Sequence, residues 1–556
     1  MSVNQSSPAS VAATAGSGLI LLTLSSGQFL MALDSSVMNV SIATVADDLG
    51  TTVTGIQTAI TLYMLVMACL MITGGKVGAI IGRKRAFALG CLIYGAGSFT
   101  TSIAPNLTVL LIGWSLLEGI GASLIMPAIV ALVASNFGRA DRPRAYGLVA
   151  AAGATAVAVG PLIGGLATTY ASWRWVFAGE VLIVFAILLL VRRVADVPPE
   201  TGVRMDLTGT FLSALGLGLI VYGILQGGEW GFVTPKPSAP SWFGLSPVFW
   251  LVMAGGAVLL AFLSWEQHRA QHNKSVLINP AILDNRMLRG GLTSFFFQYL
   301  LMSGVFFAVP LYLSVALGLS AIETGVRIVP LSLTLLLAAA GVPKAFPNAS
   351  PQRVVRLSFV CLFVGIVSLM AALDVGVGAE VVTVPLLLAG LGLGGLASQL
   401  GSVTVSAVPD EQSAEVGGLQ NTVTFLGSAI GTALAGAVLI SGLTTSFLTG
   451  IEDNPDVNES ISSQATVELG GGVPFISDDQ LDSALSDAGV DEQTATAIID
   501  ENEQARIDAL KLSLAVLAAL ALIALFLTRN IPTRQPKTTA TGNASDQQRS
   551  PGGEET

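Results

Sequence analysis

Charge is scarce in this chain. Only 11% of its 556 residues are Asp, Glu, Lys or Arg, against 52% hydrophobic ones, less than half the charged fraction usual in soluble proteins. That shortage excludes an ordinary solvated globular domain, and no nucleic-acid partner is expected. The net charge of −10 does not point to a basic partner either, because it is spread so unevenly. Cysteine is almost missing: Cys69, Cys91 and Cys361 all fall inside apolar runs, at spacings that suit neither a metal nor a disulfide. No phosphate-binding loop of the Gly-Lys-Ser/Thr type occurs, which argues against direct ATP coupling, and no cofactor is expected. Gly390, Gly392 and Gly395 match a dinucleotide pattern but lie in an apolar span with no βαβ context. The two histidines, His268 and His272, stand four apart near Glu266 in a loop of mixed charge, which reads as solvated rather than as a zinc site. The first eighteen residues contain no Lys or Arg, unlike the start of a secretory signal, so the first apolar run is read as retained.

Apolar runs of about twenty residues fill the chain instead, the pattern of a polytopic all-α membrane protein. Fourteen spans are expected, near 18–46, 53–78, 86–104, 107–135, 144–169, 173–194, 206–227, 246–265, 290–317, 321–341, 354–373, 380–406, 414–448 and 507–528. With fourteen, 21 of the 26 basic residues fall on the side of the termini. Arg174, Lys236, Arg327, Arg506 and Lys511 are the other five. That asymmetry places both termini in the cytoplasm. Outside, residues 451–506 form a strongly acidic segment, in which Ser477-Asp478-Asp479-Gln480 opens a helix like a capping box and Gly489 closes it. A second helix from about Asp491 runs into the last span, making a hairpin that covers the outer mouth, recruits cations or gates exit. The expected organisation is a cytoplasmic tail (1–17), a six-span half (18–198), two linker spans with a cytoplasmic loop (199–289), a second six-span half (290–530) carrying the hairpin, and a disordered tail (531–556).

Within the first span one carboxylate, Asp34, sits near the middle. A charge at that depth costs at least ~2.5–3.5 kcal/mol, so such groups face a protein interior or a watery cavity. Met31, Met38 and Ser41 share its helical face. Asp34 is either a buried acid satisfied by a neighbour or a group that loads and unloads a proton during transport. In span 4, Glu118 lies at a comparable depth, roughly 16 Å from the outer end of its span against roughly 20 Å for Asp34, at ~1.5 Å per residue. Trp114, one turn before Glu118, is placed to dry that carboxyl or to hold a cationic or aromatic cargo. Glu118 reads as a proton or cargo site or as a packing group. Glu180, nearer the outer end of span 6, is expected to be structural and to pair with Arg174. In span 9, Phe295, Tyr299, Met302 and Phe306 follow helical spacing with Gln298 beside them, a roomy wall suited to amphipathic compounds or ordinary core packing. Arg327 and Glu323 form an expected local ion pair, and Gln399, Gln420 and Asn421 are further polar candidates.

Four motifs carry a resemblance. Leu33-Asp34-Ser35-Ser36-Val37-Met38-Asn39-Val40 lies in span 1. The loop between spans 2 and 3 reads Gly75-Lys76-Val77-Gly78-Ala79-Ile80-Ile81-Gly82-Arg83-Lys84-Arg85. Span 5 carries Gly160-Pro161-Leu162-Ile163-Gly164-Gly165, small residues that permit close approach and a proline that permits a bend. Ser172-Trp173-Arg174-Trp175-Val176-Phe177 enters span 6. Together, in this order, they resemble the major facilitator superfamily, specifically its fourteen-span drug:proton antiporter branch. The resemblance implies two six-span halves with spans 7 and 8 inserted between them, and a central cavity opened alternately to each side. It implies gating by the Gly75, Gly82, Arg83, Lys84 and Arg85 loop and by Gly160, Pro161, Gly164 and Gly165. Gly427 and Gly431 would mirror these span 5 glycines, and the Lys344–Arg356 loop would mirror the span 2–3 loop. Span 9 becomes the counterpart of span 1, so Met31, Met38, Trp114 and the span 9 stripe become cargo-binding candidates.

The departures matter as well. The family's acidic residue in the span 2–3 loop falls on Ala79, its embedded Arg on Ser115, and the usual Asn near the entry to span 6 on Glu180. The expected function is export of amphipathic, drug-like small molecules in exchange for protons across a bacterial plasma membrane, coupled at Asp34 and Glu118, with membrane lipids as the surroundings and no enzymatic activity. A translocator of lipids or cell-envelope intermediates with the same fold is the alternative. A non-transporting sensor reading a ligand through its hairpin is a third.

Overall fold

The computed structural model describes residues 8–533, apart from 139–140, 197–198, 200–203, 237–238, 409–412 and 470–471. The tail expected over 531–556 therefore lies almost wholly outside the described residues. Every long element is a helix, and the one β-type pairing among the described residues is an isolated bridge between Trp242 and Leu245.

In chain order the helices are α1 (Pro8–Asp48), α2 (Val53–Ile81), α3 (Arg83–Ser102), α4 (Leu107–Asn136), α5 (Arg142–Tyr170), α6 (Arg174–Leu190), α7 (Leu207–Leu225), α8 (Pro247–Gln271), α9 (Arg286–Leu311), α10 (Ala321–Ala345), α11 (Pro351–Ala372), α12 (Thr383–Val405) and α13 (Ser413–Asp453). Two short helices follow, α14 (Glu459–Leu469) and α15 (Asp478–Asp487), and then α16 (Glu492–Leu527). Thirteen of these are long and apolar enough to cross a membrane by length and composition. The remaining expected span, α3, is a helix of 20 residues, but it carries Arg83, Lys84 and Arg85 and a run of Ser and Thr. Its polar residues are used for another purpose, described below.

Packing repeats with an offset of eight long helices, the short α14 and α15 left out of the count. In the first half α1 packs on α5, α2 on α4, α3 on α4 and α3 on α6. In the second half α9 packs on α13, α10 on α12, α11 on α12 and α11 on α16. Small residues make the repeat possible. A Cβ added to Gly164 of α5 would lie 3.0 Å from the Val37 Cα of α1, and one added to Gly431 of α13 would lie 2.2 Å from the Leu300 carbonyl oxygen of α9. Backbones this close leave no room for a side chain. Helices α7 and α8 pair with each other, and α7 leans on α2 and α13. Below them, Asp206 accepts from Trp265 and forms an ion pair with Arg269 at 2.9 Å, while Glu266 accepts from the backbone N–H groups of Leu277 and Ile278. The His272 ring contacts the His268 carbonyl at 2.7 Å.

The halves meet through α2 with α13 and α5 with α10. The specific contacts cluster toward the end that carries α14 and α15, called here the hairpin face. Gln57 Nε2 donates to the Thr432 and Ala433 carbonyls at 3.1 and 3.3 Å, and Ile322 N–H donates to Thr169 Oγ1 at 3.1 Å. A Cβ on Gly165 would lie 2.6 Å from the Ala321 carbonyl oxygen. At the opposite ends of α5, α10 and α13, Gly147, Gly341, Gly417 and Gly418 face open space. The halves are bonded to each other on the hairpin face; the other face, where these glycines meet nothing within 4 Å, is called here the splayed face.

On the hairpin face, Ser477 and Gln480 form a reciprocal cap on α15, Gly489 follows it with φ +72, and Asp491 caps α16, which continues into the final span. Helix α14 precedes them. Arg506, wholly buried, donates to the Ile476 carbonyl at 2.9 Å and to Asp478 at 2.5 Å.

Candidate functional site: a buried carboxylate chamber

Three carboxylates meet inside the first half. Asp34 of α1, Glu118 of α4 and Glu180 of α6 are all buried, and each offers an oxygen within 4.8 Å of the others. Each comes from the inward stripe of its helix. On α1 the buried residues Leu30, Asp34, Val37, Met38 and Ser41 recur at helical spacing, as do Phe177, Glu180, Val184 and Ile187 on α6. Helix α4 reaches the chamber through a π-helical stretch, Leu111–Glu118, an irregularity found mostly at functional sites.

Their partners are specific. The Trp114 indole N–H donates to both Asp34 oxygens, at 2.8 and 3.0 Å, and its ring stacks on Tyr63 at 5.2 Å and 13°. Thr101 donates to Glu118 at 3.3 Å, while Ser98 and Tyr94 donate to Glu180 at 3.1 and 3.5 Å. The α3 residues Tyr94, Ser98 and Thr101 thus form the polar wall that makes that span less apolar than its neighbours. Among the described residues, Glu118 Oε2, Glu180 Oε1 and the Tyr63 hydroxyl have no hydrogen-bond partner. Two unit charges at such a separation repel by roughly 3.5 kcal/mol at an effective dielectric of ~20, so ionising all three carboxylates together is costly.

Glu180 corrects the expectation of a pair with Arg174. Arg174 instead pairs with Asp48 at the end of α1 and donates to the Ala104 carbonyl at 2.7 Å, and its guanidinium lies 4.5 Å over Trp173. Residues six apart on a helix point to different sides, so the sequence neighbour was the wrong partner. Trp114 bonds to Asp34, and Tyr63 stacks on its ring. Tyr63, Tyr94, Ser98 and Thr101 were not singled out from the sequence. The signal for three of them was a polar stripe at positions 94, 98 and 101 in a span that is otherwise small and apolar.

The other candidates lie nearby or elsewhere. Met31 and Met38 are buried beside Asp34 on α1. On α9, which touches α1, Phe295 stacks with Tyr299 at 6.4 Å, Gln298 donates to the Leu393 carbonyl at 3.5 Å, Phe306 is buried and Met302 is partly buried. Gln420 accepts from Thr404 at 2.8 Å and Gln399 donates to Ser398. Glu323 accepts from Ser320, capping its own helix. In the span 2–3 turn, Gly82 has φ +101 and Arg83 donates to the Gly75 carbonyl at 2.7 Å. Lys84 Nζ donates to the Arg192 carbonyl at 3.3 Å, and Arg85 is exposed. Ala79 is buried, and Ser115 donates to the Ala59 carbonyl at 2.8 Å, tying α4 to α2 where the family has an arginine. Gly160 and Gly164 of α5 face α1, while Pro161 and Gly165 face α10.

Comparison with known proteins agrees with this architecture. Residues 24–432 match the family model described as the Major Facilitator Superfamily. A puromycin resistance protein of Streptomyces alboniger is 29% identical over 77% of this chain and 82% of its own length. A probable actinorhodin transporter of Streptomyces coelicolor is 28% identical over 79% of this chain and 74% of its own. Among solved structures, a bacterial homologue of the human lysosomal transporter Spinster, inward-facing and unoccupied, superposes with a TM-score of 0.56 at 12% identity, covering 92% of this chain and 97% of that one. A D-xylose–proton symporter gives 0.54 at 12% identity, over 94% and 99%. The chain belongs to the Major Facilitator Superfamily and is a multi-pass membrane transporter, not an enzyme.

Proposed function

We propose that the protein exports amphipathic, drug-like small molecules across the plasma membrane in exchange for protons, by alternating access. Export of drug-like cargo draws support from its antibiotic-resistance and exporter relatives. The observation that carries the coupling is the chamber itself. Asp34, Glu118 and Glu180 crowd together in a dry interior with unused oxygens on two of them, so their charge state must change when the surroundings become wet or a cationic cargo arrives.

Asp34 and Glu118 are the coupling pair in this reading. Proton uptake neutralises the chamber and lets the halves close over it. Proton loss restores negative charge that favours an amphipathic cation. Helix α9 supplies the adaptable wall, with Phe295, Gln298, Tyr299, Met302 and Phe306, and Met31, Met38 and Trp114 face it from the first half. The span 2–3 turn around Gly75, Gly82, Arg83, Lys84 and Arg85 works as the gate on the splayed face, and Gly160, Pro161, Gly164 and Gly165 let α5 rock between α1 and α10. The basic residues put the splayed face in the cytoplasm, which makes this conformation inward-facing, with all fourteen long helices, α3 included, crossing the bilayer and both termini inside.

The test is dye efflux from everted vesicles energised by a pH gradient. Asp34→Asn is expected to abolish gradient-driven transport while expression stays normal. Transport at the wild-type rate in that variant would contradict the reading.

A further inference from the structure

A cavity of about 560 Å³ opens on the hairpin face over the seam between the halves. Five separate parts of the chain build its wall, among them Leu107 at the start of α4. Thr54 and Thr58 come from α2, Glu229 and Trp230 from the α7–α8 connection, Ile440 from α13 and Val473 from the segment before α15. Its size falls within the range of small-molecule sites.

The walls are held in place. Gly228 sits against α13, where a Cβ would come within 3.1 Å of the Ala437 carbonyl oxygen. Lys236 Nζ donates to the Gly228 carbonyl and Ser246 to the Gly231 carbonyl, both at 2.6 Å. Burial lowers the Lys236 pKa and the charge of Glu229 opposes that shift. Val473 N–H donates to Thr444 at 3.0 Å, and Arg506 holds the Ile476 carbonyl. Gln57 lies between Thr54 and Thr58 on the same helix and locks α2 to α13.

We propose that this cavity is an exit-side cargo site for amphipathic cations carrying a flat aromatic part. Trp230 and Ile440 receive the apolar body, the threonine hydroxyls receive polar substituents, and Glu229 receives the positive charge. Cargo let go by the central chamber is held here, outside the Gln57 lock, before it leaves, which biases transport outward. The idea rests on the export reading but not on proton coupling.

The experiment is equilibrium binding to the purified full-length protein with no gradient, using ethidium as a planar cation and Nile red as a neutral dye of similar size. Trp230→Ala and Glu229→Gln are each expected to weaken ethidium binding by roughly fivefold or more, with Nile red affected less. Thr58→Val serves as the second variant if Trp230→Ala melts early, and it is expected to weaken ethidium in the same direction. Unchanged ethidium binding in well-folded variants, or equal losses for both dyes, overturns the proposal. This binding is read with no gradient and compares two dyes at Trp230 and Glu229, residues outside the carboxylate chamber, whereas the antiport reading is tested by gradient-driven efflux, so the two failures give different results.

Discussion

The two six-helix halves follow one packing scheme and use it differently. The first half buries Asp34, Glu118 and Glu180 together. Among the described residues, no Asp or Glu of the second half's spans is buried. On α9 the second half carries Phe295, Tyr299 and Phe306 instead, and apart from Arg506 at the hairpin the buried polar groups described there are neutral, such as Gln298 and Gln399. Repeating a backbone arrangement is easy once small residues let helices touch. Repeating a charge chamber is not, because each buried carboxylate needs donors and dry surroundings. In the proposed function this division gives proton handling to one half and cargo accommodation to the other.

The largest effect should come from neutralising the charged half. Asp34→Asn is expected to reduce gradient-driven efflux by at least ~100-fold, the consequence of removing a coupling carboxylate, as read in everted vesicles. Glu180→Gln separates the chamber from a merely structural role. Coupled transport should fall by roughly tenfold while the melting temperature stays near wild type, whereas a structural partner of Arg174 would lose stability instead. Arg174→Ala is the matching control. It should lower thermal stability through Asp48 and Ala104 and leave the ratio of protons to cargo unchanged.

Changes in the other half should be smaller and should depend on cargo. Phe295→Ala and Tyr299→Ala are each expected to raise KM by roughly three- to tenfold for some dyes and not others, with the pH dependence of transport preserved. A uniform loss of coupling from either would break the division of labour. Smallest of all, Ser477→Ala removes the α15 cap and should cost about 1 kcal/mol locally, seen as faster hydrogen exchange over α15 with coupling intact.

Much of the architecture was legible because hydrophobic length is a strong signal. Span 3 was the exception by composition. Its Ser98 and Thr101 weaken the apolar pattern because they serve Glu118 and Glu180. The approach of Asp34 and Glu118 followed from counting residues from the span ends. Glu180 did not, since its partners arrive from α1, α3 and α4, and only the nearby Arg174 was visible along the chain. The π-helical turn of α4 left no mark in periodicity, nor did helix α14 in the acidic segment. The Arg506 anchor under α15 was hidden for a similar reason: a carbonyl acceptor 30 residues away carries no sequence signature.

The most direct measurement is proton movement evoked by cargo in proteoliposomes, followed with a pH-sensitive dye inside the vesicles. The account predicts that adding cargo drives a proton flux in the opposite direction through the wild-type protein. It predicts none through the Asp34→Asn, Glu118→Gln, Glu180→Gln triple variant, with the cargo still bound. A wild-type protein that moves cargo with no accompanying proton flux, or a triple variant that still exchanges the two, would contradict it.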